Sequence, residues 1–389
     1  MPVAPFAASK QITTPTAGLR ETLNPRSLAL LVALAGFMEL FDGTVIQTAL
    51  PAMGRELEVS ATTASVAMAA YFAAAAGAIP VCAWLTDRVG AKAAFTGAIT
   101  VFVLASLWCA SSEDLTWLVV ARIIQGVGGA VMMTVGQIVI LRDAPKGKLL
   151  NITAYLVWPA LAAPVIAPVI GGLITQTLGW RWLFWINLPL GVLAVIASLR
   201  LTPGKRDGHE PRPLDFVGAI LLAVGLCTTI PGLAMVEYGA APARLTAILF
   251  GGMSLVAAVI WLLRHKNPLL DLKAYRFETF RAGNGAGAIY RAVVASVPVL
   301  LTLLFQLAYG WSAVSAGLLV MVLFFGNLSI KPFANYSIRR WGYRRVVVAA
   351  TMLGAAALLV LSFVGESTSL WLVVPILYLS GAARSVGFT

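Results

Sequence analysis

Long apolar segments separated by short polar ones run through the whole chain, and this alternation predicts its architecture. A helix that spans a bilayer needs about 20 mostly apolar residues. Twelve segments qualify, at 27–53, 62–84, 93–112, 115–141, 149–175, 182–201, 214–235, 243–263, 282–309, 313–334, 344–364 and 369–389. Continuous runs of this kind favour helices over a closed barrel, because a helix satisfies its backbone groups within one segment. The pattern predicts an all-α integral membrane protein.

Composition excludes the soluble classes of protein. The 389 residues are 59% hydrophobic and 11% charged, whereas soluble domains average about 25% charged residues. The phosphate-binding pattern Gly-x-x-x-x-Gly-Lys-Ser/Thr does not occur, which argues against ATP-driven transport by this chain. Both histidines, His209 and His265, fall in polar connections. We therefore expect no enzyme, no metal site and no cofactor.

The positions of lysine and arginine predict the orientation. Most of the 28 basic residues fall in segments on one side of the predicted topology, and the other side holds Arg55, Arg181 and Arg244. Because cytoplasmic loops are rich in basic residues, we expect a cytoplasmic N-terminus in a multi-pass protein of the plasma membrane, the inner membrane in a bacterium. Topology then accounts for the net charge of +12. The expected surface partner is the lipid bilayer, not nucleic acid.

The connections divide the chain into four parts. Residues 1–26 are polar and are expected to form a disordered cytoplasmic N-terminus, and 27–201 a first bundle of six helices. Residues 202–281 hold two basic connections around two helices with few polar residues, which predicts a linker with an inserted helix pair. Residues 282–389 are expected to form an incomplete second bundle, because the last apolar segment reaches Thr389 with no polar tail.

A short pattern recurs after the second and the tenth apolar segments. Gly90 has a basic residue two positions before it and another two positions after it, and Gly342 has the same neighbours. Each glycine follows the second helix of its half if the helices of 214–263 are set aside. The pattern predicts two repeated halves.

Two carboxylates, Glu39 and Asp42, lie inside the first apolar segment. A charge at the centre of a membrane helix costs about 2.5–3.5 kcal/mol on insertion scales, and packing alone does not require it. The two residues are three apart and share one helical face. Our hypothesis is that Asp42 binds a proton within the membrane. The alternative is that both acids lie in water at a helix end.

Arg122 is a second charge inside an apolar segment. Gln125, Gly126 and Gly129 follow it at offsets of 3, 4 and 7 and share its helical face. Glycines on that face allow another helix to approach closely, so the arginine is expected to point into the bundle, with Asp42 as a natural partner. The alternative is an arginine at the membrane interface whose head reaches the water.

Small residues recur every four positions at 163, 167 and 171 in the fifth segment, which also contains Pro164 and Pro168 before Gly171 and Gly172. Such a strip favours tight helix contact, and the prolines permit bending. Tight packing and gating are both consistent with it. Asp87, in the polar turn before Gly90, is either an ordinary surface acid or a latch that holds one closed state.

Polar side chains scattered through the other apolar segments are candidates for lining a substrate cavity. Arg291 is the charged one among them. Each of the others is equally consistent with a hydrogen bond between helices. The candidates are Gln125, Gln137, Asn284, Arg291, Gln306 and Asn327.

Five segments in order resemble one family. The first, at 40–51, contains Asp42 and resembles the first-helix motif of the fourteen-helix drug:proton antiporters of the major facilitator superfamily. Residues 84–90 are similar to the superfamily's loop motif, and 122–129 to the motif of its fourth helix. Residues 164–172 resemble the antiporter motif of helix five, and 179–191 the entry to helix six.

The resemblance implies two six-helix bundles with two helices between them, alternating access, and proton import coupled to export of lipophilic or amphipathic compounds. It assigns proton coupling to Asp42 and Arg122, the cytoplasmic gate to Asp87, Arg88 and Gly90, and the antiporter element to Pro164, Pro168, Gly171 and Gly172. It also implies that this chain, with twelve of fourteen helices, is truncated at its C-terminus, and it raises periplasmic adaptor proteins as partners.

The chain departs from the family pattern at several positions. Ala163 and Ala167 replace glycines before the two prolines, and Glu39 is not a usual acid of the first-helix motif. Glu39 is therefore expected to add a second protonation site or to favour cationic substrates. Two alternatives to proton-coupled export stay open. One is a facilitator or importer of a polar or anionic metabolite bound by Arg122 and Arg291, and the other is a membrane receptor or scaffold that transports nothing.

Overall fold

A computed structural model describes residues 25–143, 149–202, 213–234, 241–365 and 368–387. Every regular element within these ranges is helical, and twelve helices are long and apolar enough to cross a membrane. The predicted all-α membrane fold is confirmed. The predicted N-terminal lead, up to residue 24, and most of the first connection of 202–281 lie outside the described residues, so the proposed division into four parts stays a prediction.

The twelve spans are numbered here in chain order. They are α1 Ser27–Glu56, α2 Ala61–Val89, α3 Ala91–Ser111, α4 Leu115–Leu141, α5 Pro159–Thr177, α6 Trp182–Leu201, α7 Phe216–Leu233, α8 Pro242–Arg264, α9 Glu278–Ala308, α10 Ala313–Ala334, α11 Tyr343–Leu361 and α12 Leu370–Gly387. A 3-10 turn at Ile46–Ala49 interrupts α1, and a π turn at Leu304–Ala308 closes α9. A helix at Lys331–Trp341 extends α10.

Helix α5 packs along α1 through the strip of small residues. Ala163 and Ala167 are fully buried. At Gly171 a Cβ atom would lie 2.5 Å from Thr48 Oγ1 and 2.8 Å from the carbonyl oxygen of Val45. Only a glycine therefore permits this approach of the two backbones.

A second face of α5 packs on α10 and joins the two halves of the chain. A Cβ at Gly172 would lie 2.4 Å from the Ala313 carbonyl oxygen, and a Cβ at Gly317 would lie 2.2 Å from the Pro168 carbonyl oxygen. Gln306 Nε2 on α9 donates a 3.0 Å hydrogen bond to the Thr48 carbonyl oxygen on α1. These contacts lie toward the end of the bundle where α1 finishes, called here the Glu56 end.

Side chains at the Glu56 end fasten three connections together. Arg181 Nη1 forms an ion pair with Glu56, while Arg181 Nη2 donates to the Ser112 carbonyl oxygen at 2.9 Å. Trp180 Nε1 donates to the other Glu56 oxygen at 2.5 Å. The end of α1, the end of α3 and the start of α6 are thereby held to one another.

Helices α7 and α8 form a pair that packs on α2. Gly77 of α2 lies against Ala223 of α7, and the rings of Trp84 and Phe216 meet edge to face at 5.9 Å. The pair is secured by Asp215, just before α7, whose carboxylate lies outside the membrane spans.

Three groups donate hydrogen bonds to Asp215, from separate parts of the chain. They are the backbone N–H of Gly218 at 2.9 Å, Trp261 Nε1 at 2.8 Å and the backbone N–H of Leu269 at 3.2 Å. Burial of the carboxylate acts to raise its pKa, but these bonds together with His265 outweigh burial, and the pKa of Asp215 is lowered from its ordinary value.

The two halves repeat one backbone design. Gly90 and Gly342 each end a helix with nearly identical angles, φ 87° and ψ 151° against φ 85° and ψ 148°. Such positive φ values favour glycine. Ser60 and Ser312 cap α2 and α10 in the same way, each accepting a 3.1 Å bond from the N–H three residues on.

A single shift of numbering relates the first three helices of the two halves. The differences 342 − 90 and 312 − 60 both equal 252 residues. The same shift carries Glu56, the last residue of α1, onto Ala308, the last residue of α9. Helices α9 to α11 are therefore the register-matched counterparts of α1 to α3. For α12 and α4 the shift is 255, because α12 begins at Leu370 where α4 begins at Leu115, and a Cβ at Gly381 would meet the Leu323 carbonyl oxygen as one at Gly126 would meet that of Tyr71.

Candidate functional site

A buried ion pair lies at the centre of the first half. Arg122 Nη1 on α4 donates to Asp42 Oδ2 on α1. Arg122 is 0% exposed and Asp42 is 1% exposed. Neither side chain is at a wet helix end or at the membrane interface, so the structure does not support those two alternative interpretations.

Amide and hydroxyl groups from α3, α4 and α6 extend the pair into a network. Gln125 Nε2 donates to Asp42 Oδ1 at 2.9 Å and to Ser106 Oγ at 2.7 Å, while Gln125 Oε1 accepts from Arg122 Nη1 at 2.6 Å. Asn187 Nδ2 donates to Asp42 Oδ1 at 2.9 Å and to Ser106 Oγ at 3.2 Å. The Asp42 carboxylate thus accepts hydrogen bonds from three side chains, which belong to two other helices.

Aromatic rings cover the arginine. The Arg122 guanidinium lies 4.1 Å from the centre of the Tyr71 ring and 5.7 Å from that of Phe184, distances at which a ring face stabilises a cation. Among the described residues, Arg122 Nε and Nη2 and Asn187 Oδ1 have no hydrogen-bond partner. The guanidinium therefore keeps two buried nitrogen atoms without a hydrogen-bond acceptor beside its pairing with Asp42.

Glycines on α4 position the arginine. A Cβ at Gly126 would lie 2.3 Å from the Tyr71 carbonyl oxygen, and a Cβ at Gly129 would lie 2.8 Å from the Tyr71 hydroxyl. The backbones of α2 and α4 can approach this closely because both positions are glycine. Arg122, one turn away on the same face, is consequently held against the Tyr71 ring.

Glu39 lies beside the network without joining it. The side chain is half-buried, and its Cγ atom would be 3.3 Å from a Cβ at Gly129. Glu39 has no hydrogen bond or ion pair to any residue that the structure describes. Its role in proton coupling stays a prediction.

The predicted gating residues fall at two places. Asp87 and Arg88 lie in the last turn of the helix Cys82–Val89, not in the following turn where the sequence pattern placed Asp87, because the chain breaks only at Gly90. Arg88 lies 5.9 Å from the Trp84 ring. Pro164, Pro168, Gly171 and Gly172 lie inside the unbroken helix Leu149–Thr177, between α1 and α10.

The six cavity candidates are not brought together. Gln125 is fully buried in the network, and Gln306 bonds across the two halves. Gln137 and Arg291 are exposed, and Asn284 and Asn327 are half-buried. A largely apolar cavity of about 650 Å³ lies between α9, α11 and α12, and none of the six lines it.

Sequence reasoning missed three members of the network, Tyr71, Ser106 and Asn187. Asn187 carried a usable signal, since it is an amide near the start of an otherwise apolar segment. Ser106 and Tyr71 are common residues of membrane helices and gave none. Within the described ranges, no group of three or more His, Cys, Asp or Glu side chains is placed to hold a metal ion.

The comparisons with known proteins decide the family. The model of the Major Facilitator Superfamily matches residues 32–389, nearly the whole chain. The chain belongs to the Major Facilitator Superfamily. It is thus a multi-pass membrane transporter and not an enzyme.

Relatives within the superfamily confirm the resemblance to drug antiporters. MdtD of Cronobacter sakazakii, a protein named for multidrug resistance, is 33% identical over 92% of this chain and 76% of its own length. HsrA of Haemophilus influenzae, named as a transport protein, is 32% identical over 94% of this chain and 79% of its own.

Solved structures of the superfamily share the fold. The xylose transporter XylE from E. coli, in a partially occluded inward-open conformation, matches with a TM-score of 0.60 and 12% identity over 93% of this chain and 84% of that one. The nucleoside transporter NupG matches with a TM-score of 0.56 and 13% identity over 93% and 80% of the two chains. At these identities the likeness concerns the fold alone.

Proposed function

We propose that this transporter exports small lipophilic or amphipathic organic compounds across the plasma membrane of a bacterium in exchange for protons, with its N-terminus in the cytoplasm. The observation that carries the proposal is the Asp42–Arg122 pair, buried inside membrane helices with its hydrogen-bond network. Relatives named for multidrug resistance support the substrate class.

The pair is suited to coupling because its two states differ in charge. With Asp42 ionised, the carboxylate neutralises Arg122 and holds α1 to α4 and α6. A proton on Asp42 removes one acceptor and leaves the guanidinium uncompensated in a low-dielectric site, where an unpaired charge is costly. The halves then favour an arrangement in which Arg122 finds other partners, so proton binding on one side biases the alternation of access.

The contacts between the halves support a defined starting state. Gly317 against Pro168, Gly172 against Ala313 and the Gln306–Thr48 bond all lie toward the Glu56 end, which faces outward if the N-terminus is cytoplasmic. This state is therefore closed to the outside, and the predicted gate near Gly90 lies at the other end. Rocking of one half against the other would open the Glu56 end and close the Gly90 end.

Reconstitution tests the proposal. Purified protein in liposomes, loaded with a fluorescent lipophilic dye, is expected to move the dye against its gradient when an opposing pH gradient is imposed. An uncoupler should abolish this movement, and protein-free liposomes serve as the control. Dye movement that is equally fast with and without the pH gradient would contradict proton coupling. Protons and the exported compound are the proposed partners, and periplasmic adaptors stay a prediction.

A further inference from the structure

The register shift between the halves places two unpaired charges at equivalent positions. Subtracting 252 from 291 gives 39, so Arg291 on α9 is the counterpart of Glu39 on α1. The sequence similarity of the two helices does not reveal this relationship. It follows from the shared glycine and serine caps.

Both charges lie at the same depth along their helices, α1 and α9. Helices α1 and α9 meet toward the Glu56 end, where Gln306 bonds to Thr48 and where Val299 and Leu303 pack on the apolar cluster that includes Val45. Val299 is itself the counterpart of Gln47. Glu39 and Arg291 are each eight residues before those positions, about 12 Å further toward the Gly90 end at 1.5 Å per residue.

Neither charge is compensated by the protein. Glu39 is half-buried and Arg291 is exposed, and neither has a hydrogen-bond or ion-pair partner among the residues that the structure describes. Asp42, by contrast, already accepts from Arg122, Gln125 and Asn187. An ionised group held at membrane depth without a partner is expensive and marks a functional position. Of the two acids in the first apolar segment, Glu39 is consequently the one whose carboxylate remains available to bind a ligand.

We propose that Glu39 and Arg291 are the two ends of a substrate site that selects zwitterionic amphiphiles. Glu39 binds the cationic group of the substrate. Arg291 binds its carboxylate or phosphate through two parallel N–H donors, for which a guanidinium is suited. The inference rests on the proposed export function and adds to it a choice of substrate charge.

A pair of matched dyes tests the site. Rhodamine as the free acid is a zwitterion, and its methyl ester is a cation with almost the same shape. Binding of each dye to purified protein in detergent is measured by fluorescence polarisation, and flux driven by a pH gradient is measured in liposomes.

Neutralising each charge separately should have different effects. Arg291→Gln should weaken binding of the zwitterion about tenfold, as loss of a charge-assisted hydrogen bond does, and leave the ester within about twofold. Glu39→Gln should weaken both dyes. Arg291→Lys and Glu39→Asp keep the charge and should retain most of the wild-type preference, and size-exclusion profiles establish that each variant is folded.

Two results would overturn the inference. One is that Arg291→Gln weakens both dyes equally, and the other is that wild-type protein binds the ester as tightly as the free acid. Binding without flux in response to a pH gradient would instead reject the proposed function and leave the binding site standing. The two failures are therefore separable.

Discussion

Asp42 and Arg122 are 80 residues apart in the chain and form an ion pair that water does not reach, between two helices that span the membrane. The pair is joined on the carboxylate side by Gln125 and Asn187 and covered on the guanidinium side by Tyr71. A change in the charge of Asp42 would alter the contacts of α1, α4 and α6 together.

Replacing Asp42 with asparagine removes the proposed proton site and keeps a side chain of the same shape. Asparagine keeps an oxygen that accepts from Gln125 and Asn187, but it cannot titrate. We expect transport driven by a pH gradient to fall by at least about tenfold in the Asp42→Asn variant, within the range of effects for proton-transfer groups, while dye binding in detergent changes little. Asp114→Asn is the control, because Asp114 caps the exposed N–H of Trp117 and should transport normally. A native rate in Asp42→Asn would reject the coupling role.

Replacing Arg122 should cost far more stability than replacing both partners. Arg122→Gln leaves a buried carboxylate without its cation, and breaking a buried pair on one side costs about 3–5 kcal/mol. In the double variant Asp42→Asn/Arg122→Gln neither charge of the pair remains. Its loss of stability should therefore be well below the sum of the losses in the two single variants. The free energy of unfolding of all three variants in detergent at neutral pH gives the coupling energy. Strict additivity would show that the two groups do not interact.

The contact of Gly317 with Pro168 should not tolerate one added carbon. In Gly317→Ala the new Cβ would lie 2.2 Å from a carbonyl oxygen of α5, so α10 must move away from α5. We expect a lower thermal midpoint and slower flux. Gly97→Ala is the matched control, because a Cβ there meets nothing within 4 Å, and alanine is favoured over glycine in a helix. Equal effects of the two substitutions would show that α5 and α10 are not tightly packed at Gly317.

The carboxylate of Asp215 should stabilise the protein throughout the physiological pH range. Its pKa is lowered in the folded state, so its contribution is fully present above the ordinary value of 3.8 and is lost only as pH falls through the lowered value. We expect Asp215→Asn to lower the thermal midpoint by a constant amount from pH 8 to about pH 5, and the difference to shrink below about pH 4. A difference that vanished already between pH 7 and pH 6 would contradict this assignment.

Helix positions were predictable from the sequence because bilayer thickness imposes a length on every apolar segment. The predicted run 182–201 coincides with Trp182–Leu201, and 344–364 differs from Tyr343–Leu361 by only a few residues. The inward direction of Arg122 also followed from the sequence, since Gly126 and Gly129 share its face.

Partners were less predictable, because a polar residue in an apolar helix does not reveal which helix it will face. Gln125 was expected to line a cavity. It shares the helical face of Arg122 and instead forms hydrogen bonds within the buried network. Asn187 enters through α6, whose packing against α1 and α3 no local pattern specifies. The spacing of Gly90 and Gly342 already implies that Glu39 and Arg291 are equivalent positions. That equivalence was recognised only from the structure, where the Ser60 and Ser312 caps show the same difference of 252 residues.

The matching glycine angles of the two halves have a consequence for how such a protein changes over time. The counterparts of Asp42 and Arg122 in the second half are the buried Val294 and Leu377, so the shared backbone holds an ion pair in one half and aliphatic packing at the same place in the other. The second half can then vary in sequence at these positions without breaking a buried ion pair. A shared backbone with unequal interiors therefore lets the two halves diverge independently.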